Sequence, residues 1–161
     1  MDNIQGSLDS ANVFNHNTVK DISDVNFRQN IIAWEKLART APQVDLKVEH
    51  HFSYGVYART VHIPKGIILT GLIHKFENLN ILSKGKMRVS IGDRMEVVEA
   101  PFIVVSPPNT KRIAEALEDC VWTTIHGTHE RDIEIIENYF IAHSEEEYLE
   151  FAKQQLPLPG F

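Results

Sequence analysis

The sequence predicts a single, mainly β domain: a β-barrel with one helix before it and helices after it. Three observations carry this. Between Val44 and Thr128, short apolar and β-branched runs recur at close spacing with turn signals between them. On either side the period changes to helical: Phe27, Ile31, Trp34 and Leu37–Ala38 before, and Ile133, Ile136, Tyr139 and Phe140 after. The chain has 161 residues, 43% of them hydrophobic, which suits one core and not several.

Taken in order, residues 1–22 are rich in Asn, Asp and Ser and poor in bulky apolar groups, so a flexible N-terminal arm is expected. Residues 23–43 hold the first helix, Phe27 to about Ala41, with Asp24 placed to cap it and Pro42 to stop it. Residues 44–128 hold the barrel. Its candidate strands are Leu46–Phe52, Val56–Ile63, Ile67–Ile73, Leu79–Leu82, Lys86–Ile91, Met95–Val98, Phe102–Val105, Arg112–Ala116 and Val121–His126. Many short strands mean a sandwich or barrel, and closing the sheet removes exposed edges. Residues 129–161 hold the C-terminal helices and tail. A helix over Thr128–His143 is followed by a second, opened by Ser144 and Glu147 as a capping box and running to about Gln155. Leu156–Phe161 then reads as an extended tail.

The bulk properties exclude some classes. Net charge is −6 and the pI about 5.7, which argues against a general nucleic-acid binder. No apolar run reaches membrane-spanning length, and the first residues have neither a basic start nor an apolar stretch. Cys120 is the lone cysteine, so no internal disulfide forms and a reducing compartment is expected. A cytoplasmic protein is the consistent reading.

The stretch most suggestive of a site is GIILTGLIHKFENLNILSKG, Gly66 to Gly85. Two apolar runs frame a polar segment holding His74, Glu77 and Asn78, and polar groups set among core strands need partners or a cavity. The spacing Gly66, Leu72, His74, Asn78, Gly85 resembles the first motif of the cupins, with Leu72 at the first His and Asn78 at the Glu. The second cupin motif resembles SPPNTKRIAEA: Pro101 for its leading Gly, Pro107 at Pro, Asn109 for Gly, Arg112 for the metal-binding His and Ala116 for Asn. Asn109 is a chemically sensible replacement, since Asn tolerates left-handed backbone. The resemblance covers roughly residues 55–127 and implies a jelly-roll barrel. With YARTVHIPKG and EDCVWTTIHGT, most of the chain also resembles small cupin-like proteins encoded by tailed phages.

Three metal-ligand positions of the resemblance are thus replaced, by Leu72, Asn78 and Arg112, and Arg112 would repel a cation. No cofactor is therefore favoured. The alternative is a divalent transition metal held by His74, His126 and Glu77, with His126 in phase with Trp122 and Thr124 on the last strand and a bulge turning Glu77 inward. The same region reads differently as a ligand-binding pocket: His74, Asn78, Arg112 and His126 offer donors and a fixed positive charge to an anion. Lys84, Lys86, Arg88 and Lys111 are read as solvated turn residues, with added rim potential as the other choice. Arg112 has a purely structural reading too, as the partner of Glu115, Glu118 or Asp119. His62 is read as a satisfied structural histidine, and Cys120 as a small core residue. His50 and His51 are expected exposed or half-buried. Ser83 and Ser106 lack a nucleophile-elbow context, and phosphate-binding glycine loops are absent.

Three functions follow. The first is a protein that binds a small anionic or nucleotide-derived ligand, phage-encoded and sequestering a host signal molecule. The second is a metal-dependent oxygenase or isomerase. The third is a scaffold or interaction protein. A homodimer is expected as well, from the family resemblance, the polar arm, Trp34 and the apolar tail ending in Phe161. A nucleic-acid polymer and a membrane are not expected partners.

Overall fold

The computed structural model describes residues 5–7 and 24–155. Strands dominate, with helices near both ends, and the strands lie in the two facing layers of a jelly roll. Their labels and limits are β1 (Gln5–Ser7), α1 (Asp24–Ala38), β2 (Lys47–Ser53), β3 (Val56–Ile63), β4 (Ile67–Thr70), β5 (Ile73–His74), β6 (Asn78–Lys84), β7 (Lys86–Ile91), β8 (Arg94–Glu99), β9 (Phe102–Ser106), β10 (Ile113–Ala116), β11 (Cys120–Gly127), α2 (Ile133–Phe140), β12 (Ile141–Ala142) and α3 (Glu145–Gln155).

One sheet runs β1-β4-β10-β7-β8 and the other β2-β3-β11-β6-β9. The expected closed barrel is therefore two facing sheets that are not hydrogen-bonded into a ring. Alternation along the strands sends Val61, Ile63, Leu82, Met87, Val89, Ala114 and Ala116 inward, where they form the core between the sheets. Crossing from one sheet to the other takes a single residue at one corner: Gly85 lies between β6 and β7.

The outer face of the first sheet is covered by α1. Phe27 and Ile31 pack on Ile68 and Ile113, with Trp34 and Met95 at the margin. The helix is also bolted on through polar groups. Lys111 donates to Glu35 at 2.7 Å and to the Gly71 carbonyl at 2.9 Å, and Thr70 donates to the same Glu35 oxygen. Lys111 is buried, not solvated as expected. Arg28 donates to the Asn109 backbone and side-chain oxygens and to Glu145, tying α1 to α3. α1 ends three residues before the expected Ala41, because Thr40 and Ala41 make tighter i→i−3 bonds ahead of Pro42.

Three residues of the expected flexible arm form β1 and pair with β4, so that part is a sheet edge. The rest of residues 1–22, and the tail Leu156–Phe161, lie outside the described residues. The helix expected over Thr128–His143 starts at Ile133. Upstream, Thr128 and Glu130 side chains bind backbone N–H groups in a turn, and Asp132 caps the helix by accepting from Glu134 and Ile135. It stops at Phe140 because Ile141 and Ala142 pair with β5. α3 opens as expected: Ser144 accepts from the Glu147 N–H at 3.1 Å, while the Glu147 carboxylate reaches back to the His143 N–H at 2.8 Å.

Candidate functional site

Between the sheets, with part of the apolar core as its wall, lies a cavity of about 1000 Å³ including its opening to solvent. Alternate residues of three strands face it: Asn78 and Asn80 of β6; Trp122, Thr124 and His126 of β11; and Tyr57, Arg59, Val61 and Ile63 of β3. From the other sheet come Leu69, Met87 and Val89, with Arg112 just before β10. Helix α2 adds Ile136, Glu137 and Phe140. The structure thus brings His74, Asn78, Arg112 and His126 to one cavity, with Leu72 also in its wall.

His74 is fixed by its backbone. β5 pairs with β12, His74 opposite Ile141, and the His74 carbonyl accepts from the Asn109 N–H at 2.9 Å. Asn109 has the left-handed φ of +66° that its place in the motif calls for. The ring of His74 stacks on His126 at 5.1 Å between centroids, and His126 stacks on Phe140 at 4.3 Å. Both imidazoles are neutral. Burial, helped by His126, Arg59 and Arg112, lowers the His74 pKa from 6.5 to about 3. Burial lowers that of His126 to about 4. The Nδ1 atom of each ring is buried without a hydrogen-bond partner. Each Nδ1 is thus left for a ligand's donor or acceptor, according to the tautomer.

A hydrogen-bond network crosses the cavity floor. Asn80 donates to Asn78 Oδ1 at 2.8 Å and to Ser106 Oγ at 2.7 Å, and its own oxygen accepts from Thr124 and Trp122. The buried Asn80 amide is fully satisfied. Arg112 donates to the Ser90 carbonyl at 2.6 Å and to Ser106 Oγ at 2.5 Å. Two of its three expected ion-pair partners are engaged elsewhere: Glu115 with Arg88, and Asp119 with the Lys65 N–H. Ser106 accepts from both Arg112 and Asn80, which leaves its hydroxyl hydrogen for a third group. Asn78, expected to orient a ligand, spends its amide on Asn80 and on the Phe76 carbonyl.

Sequence reasoning missed Arg59. It shares the inward phase of Val61 and Ile63 on β3, so one polar residue on an apolar phase was the available signal. Its Nε is buried without a hydrogen-bond partner. Burial lowers its pKa, and the nearby Tyr57 and Glu137 push it back up. Asn80, Ser106 and Glu137 were missed as well; the last sits on a helix whose docking the strand pattern does not reveal.

The divalent metal implied by the cupin resemblance does not fit these residues. Glu77 is exposed and outside the cavity wall. The remaining imidazoles are stacked on one another, with guanidinium charges acting on His74. Among the described residues no group of three or more His, Cys, Asp or Glu is placed to hold a metal ion. The His74, Glu77 and His126 set is not assembled. Two other histidines are held by protein groups: His62 bonds Glu49 at 2.6 Å and His50 bonds the Tyr57 hydroxyl at 2.8 Å.

No family model and no curated protein matches the chain. Among solved structures it is similar to an RmlC-like cupin family protein with a double-stranded β-helix fold from Methanocaldococcus jannaschii, at 17% identity over 53% of this chain and 82% of that one, with a TM-score of 0.44. It is also similar to a cupin superfamily protein from Desulfitobacterium hafniense, at 10% identity over 54% and 81% of the chains and a TM-score of 0.45. KdgF from Halomonas sp. is similar at 14% identity over 60% and 93%, with a TM-score of 0.46. These likenesses concern the strand framework and say nothing of the cavity's chemistry.

Proposed function

We propose that the chain binds a small anionic molecule in the cavity between its sheets. One observation carries this reading: two guanidiniums, Arg59 and Arg112, face a largely apolar cavity in which Glu137 is the one carboxylate among the described lining residues. Arg112 is held by a carbonyl and a hydroxyl, so among the described residues no carboxylate pairs with it. Burying a cation without a counterion is costly, and an anionic ligand removes that cost. In the wider form of this reading, a phage-encoded chain sequesters a host signal molecule in the cytoplasm.

The roles differ from the sequence expectation. Arg59 and Arg112 supply the charge, His74 and His126 adjust to neutral hydrogen-bonding groups, and Asn78 with Asn80 holds the wall in place. The test is a thermal-shift screen with small anions, followed by calorimetric titration of Arg59→Gln and Arg112→Gln. Loss of about tenfold or more in affinity in either variant supports the reading. Equal affinity in wild type and both variants, or stabilisation by neutral molecules only, overturns it and leaves the cavity as part of a scaffold.

A further inference from the structure

We infer that the cavity takes an amphipathic anion, with its charged head at the end formed by β5, α2 and Arg112 and a hydrocarbon or aryl body laid along the strands towards the Gly85 corner. This rests on the anion-binding reading and adds the other half of the ligand. The strand registers order the lining residues along the cavity. In the sheet that holds β3, β6 and β11, Tyr57 lies opposite His126, and Arg59 lies opposite Thr124, which faces Asn80 on its other side. One inward step further, Val61 meets Trp122 and Trp122 meets Leu82; beyond them Ile63 meets Cys120. Inward residues recur about every 7 Å along a strand, so polar lining gives way to apolar lining within one such step. The facing sheet changes in the same direction. Arg112, bonded to Ser106 and Ser90, stands just before β10. Next comes Ala114 between Val89 and Leu69, and after it Ala116 beside Met87. That second end lies where Gly85 joins the two sheets and packs against Asp119 and Cys120.

The two ends also differ in what they leave unbonded. Three buried atoms without a hydrogen-bond partner belong to lining residues of the first end: Nδ1 of His74, Nδ1 of His126 and Nε of Arg59. The Ser106 hydroxyl hydrogen is there too. At the second end the Trp122 N–H is already given to Asn80 Oδ1, and the other described lining groups are hydrocarbon or thioether. A sugar or polyphosphate body lying there would lose its water and find no partner. A hydrocarbon body gains from the same walls, roughly fourfold in affinity for each methylene buried.

The test titrates the full chain calorimetrically at pH 7.5 with two pairs of anions that differ in body length, butanoate with octanoate and butyl phosphate with octyl phosphate. Octanol and ribose 5-phosphate serve as the neutral and the polar-bodied controls. In at least one pair the eight-carbon anion should bind at least about tenfold tighter than its four-carbon partner, and tighter than ribose 5-phosphate by a similar factor. Ala114→Leu, which fills part of the apolar end, should cut the preference for the longer anion at least about fivefold, whereas Arg112→Gln should weaken both members of a pair by similar factors. Melting curves check that both variants are folded, and the wild-type comparison decides the matter without them. Equal affinity within both pairs, or ribose 5-phosphate binding as tightly as the eight-carbon anions, would overturn the amphipathic ligand while leaving the anion reading standing. An unchanged preference for the longer anion in folded Ala114→Leu would overturn the placement of the body. Octanol binding as tightly as both eight-carbon anions, or no binding by any anion, would overturn both readings.

Discussion

Replacing Gly85 by alanine should be among the most damaging single-methyl changes in this protein. Gly85 has φ +87° and is the lone residue joining β6 of one sheet to β7 of the other. A Cβ there would lie 2.4 Å from the Asp119 carbonyl oxygen and 2.8 Å from Cys120 Sγ. Neither neighbour yields easily. The first is backbone, and Cys120 is buried with its thiol directed at the Lys86 and Glu118 carbonyls. Left-handed backbone costs a non-glycine residue about 1–2 kcal/mol. Overpacking adds about 1–3 kcal/mol. Reduced freedom of the unfolded chain returns about 0.4–1 kcal/mol. The net loss is about 3 kcal/mol, or roughly 6–12 °C in Tm for a chain of this size. Gly92 supplies the control. It has φ +63° in the two-residue β7–β8 turn, with nothing within 4 Å of an added Cβ. Gly92→Ala should therefore cost only the backbone strain, about 1 kcal/mol or less. Thermal and urea unfolding of both variants measure the difference. Equal losses would refute the claim that close approach to Asp119 decides the cost at Gly85.

Three further outcomes follow from the polar contacts and from the sheet edges. His74 and His126 titrate at about 3 and about 4 folded against an ordinary 6.5, so the unfolded chain binds more protons between those values. Stability should fall as pH drops from about 6.5 towards about 4, with His50 adding the same sign, and His126→Gln should flatten that slope; urea titrations at several pH values check it. Lys111→Met should cost about 1–3 kcal/mol, because half-buried Glu35 loses its nearest charge partner but keeps Thr70 and Arg39, and Glu35→Leu in the same chain should restore part of it, as thermal melts would show. We propose the homodimer at β9: that edge strand carries no charge and exposes Ile103 and Val105, whereas the edge strands β2 and β8 carry Lys, Glu and Arg. Light scattering should give a dimer mass at micromolar concentration, and Val105→Lys a monomer; a monomeric wild type would refute it.

The strands were legible because the buried phase of a strand is written in every second residue. Val56–Ile63 and Lys86–Ile91 match the expectation, since a turn glycine or proline stands near their ends. The C-terminal helix boundary was not legible. Ile133 through Phe140 carry the helical period, but so do the residues upstream, and what delays the start is a competition for backbone N–H groups by Thr128, Glu130 and Asp132. That competition shows only once the turn has formed. Lys111 illustrates the same limit in three dimensions. A lysine in a polar loop reads as solvated, and its burial depends on where α1 lays Glu35.

The site was half legible for a related reason. His74, Asn78, Arg112 and His126 stood out because they occupy motif positions or an inward strand phase, and the cavity does collect them. What motif spacing cannot give is which side chains are already committed to the protein. Asn78 is committed through Asn80 and the Phe76 carbonyl; Arg112 is committed in part, to neutral acceptors. Arg59 lies on a strand the motifs do not touch, and it changes the chemistry more than any of them. With Arg112 alone, one guanidinium held by neutral acceptors would face the cavity; with Arg59 there are two, and the anion-binding proposal rests on that pair.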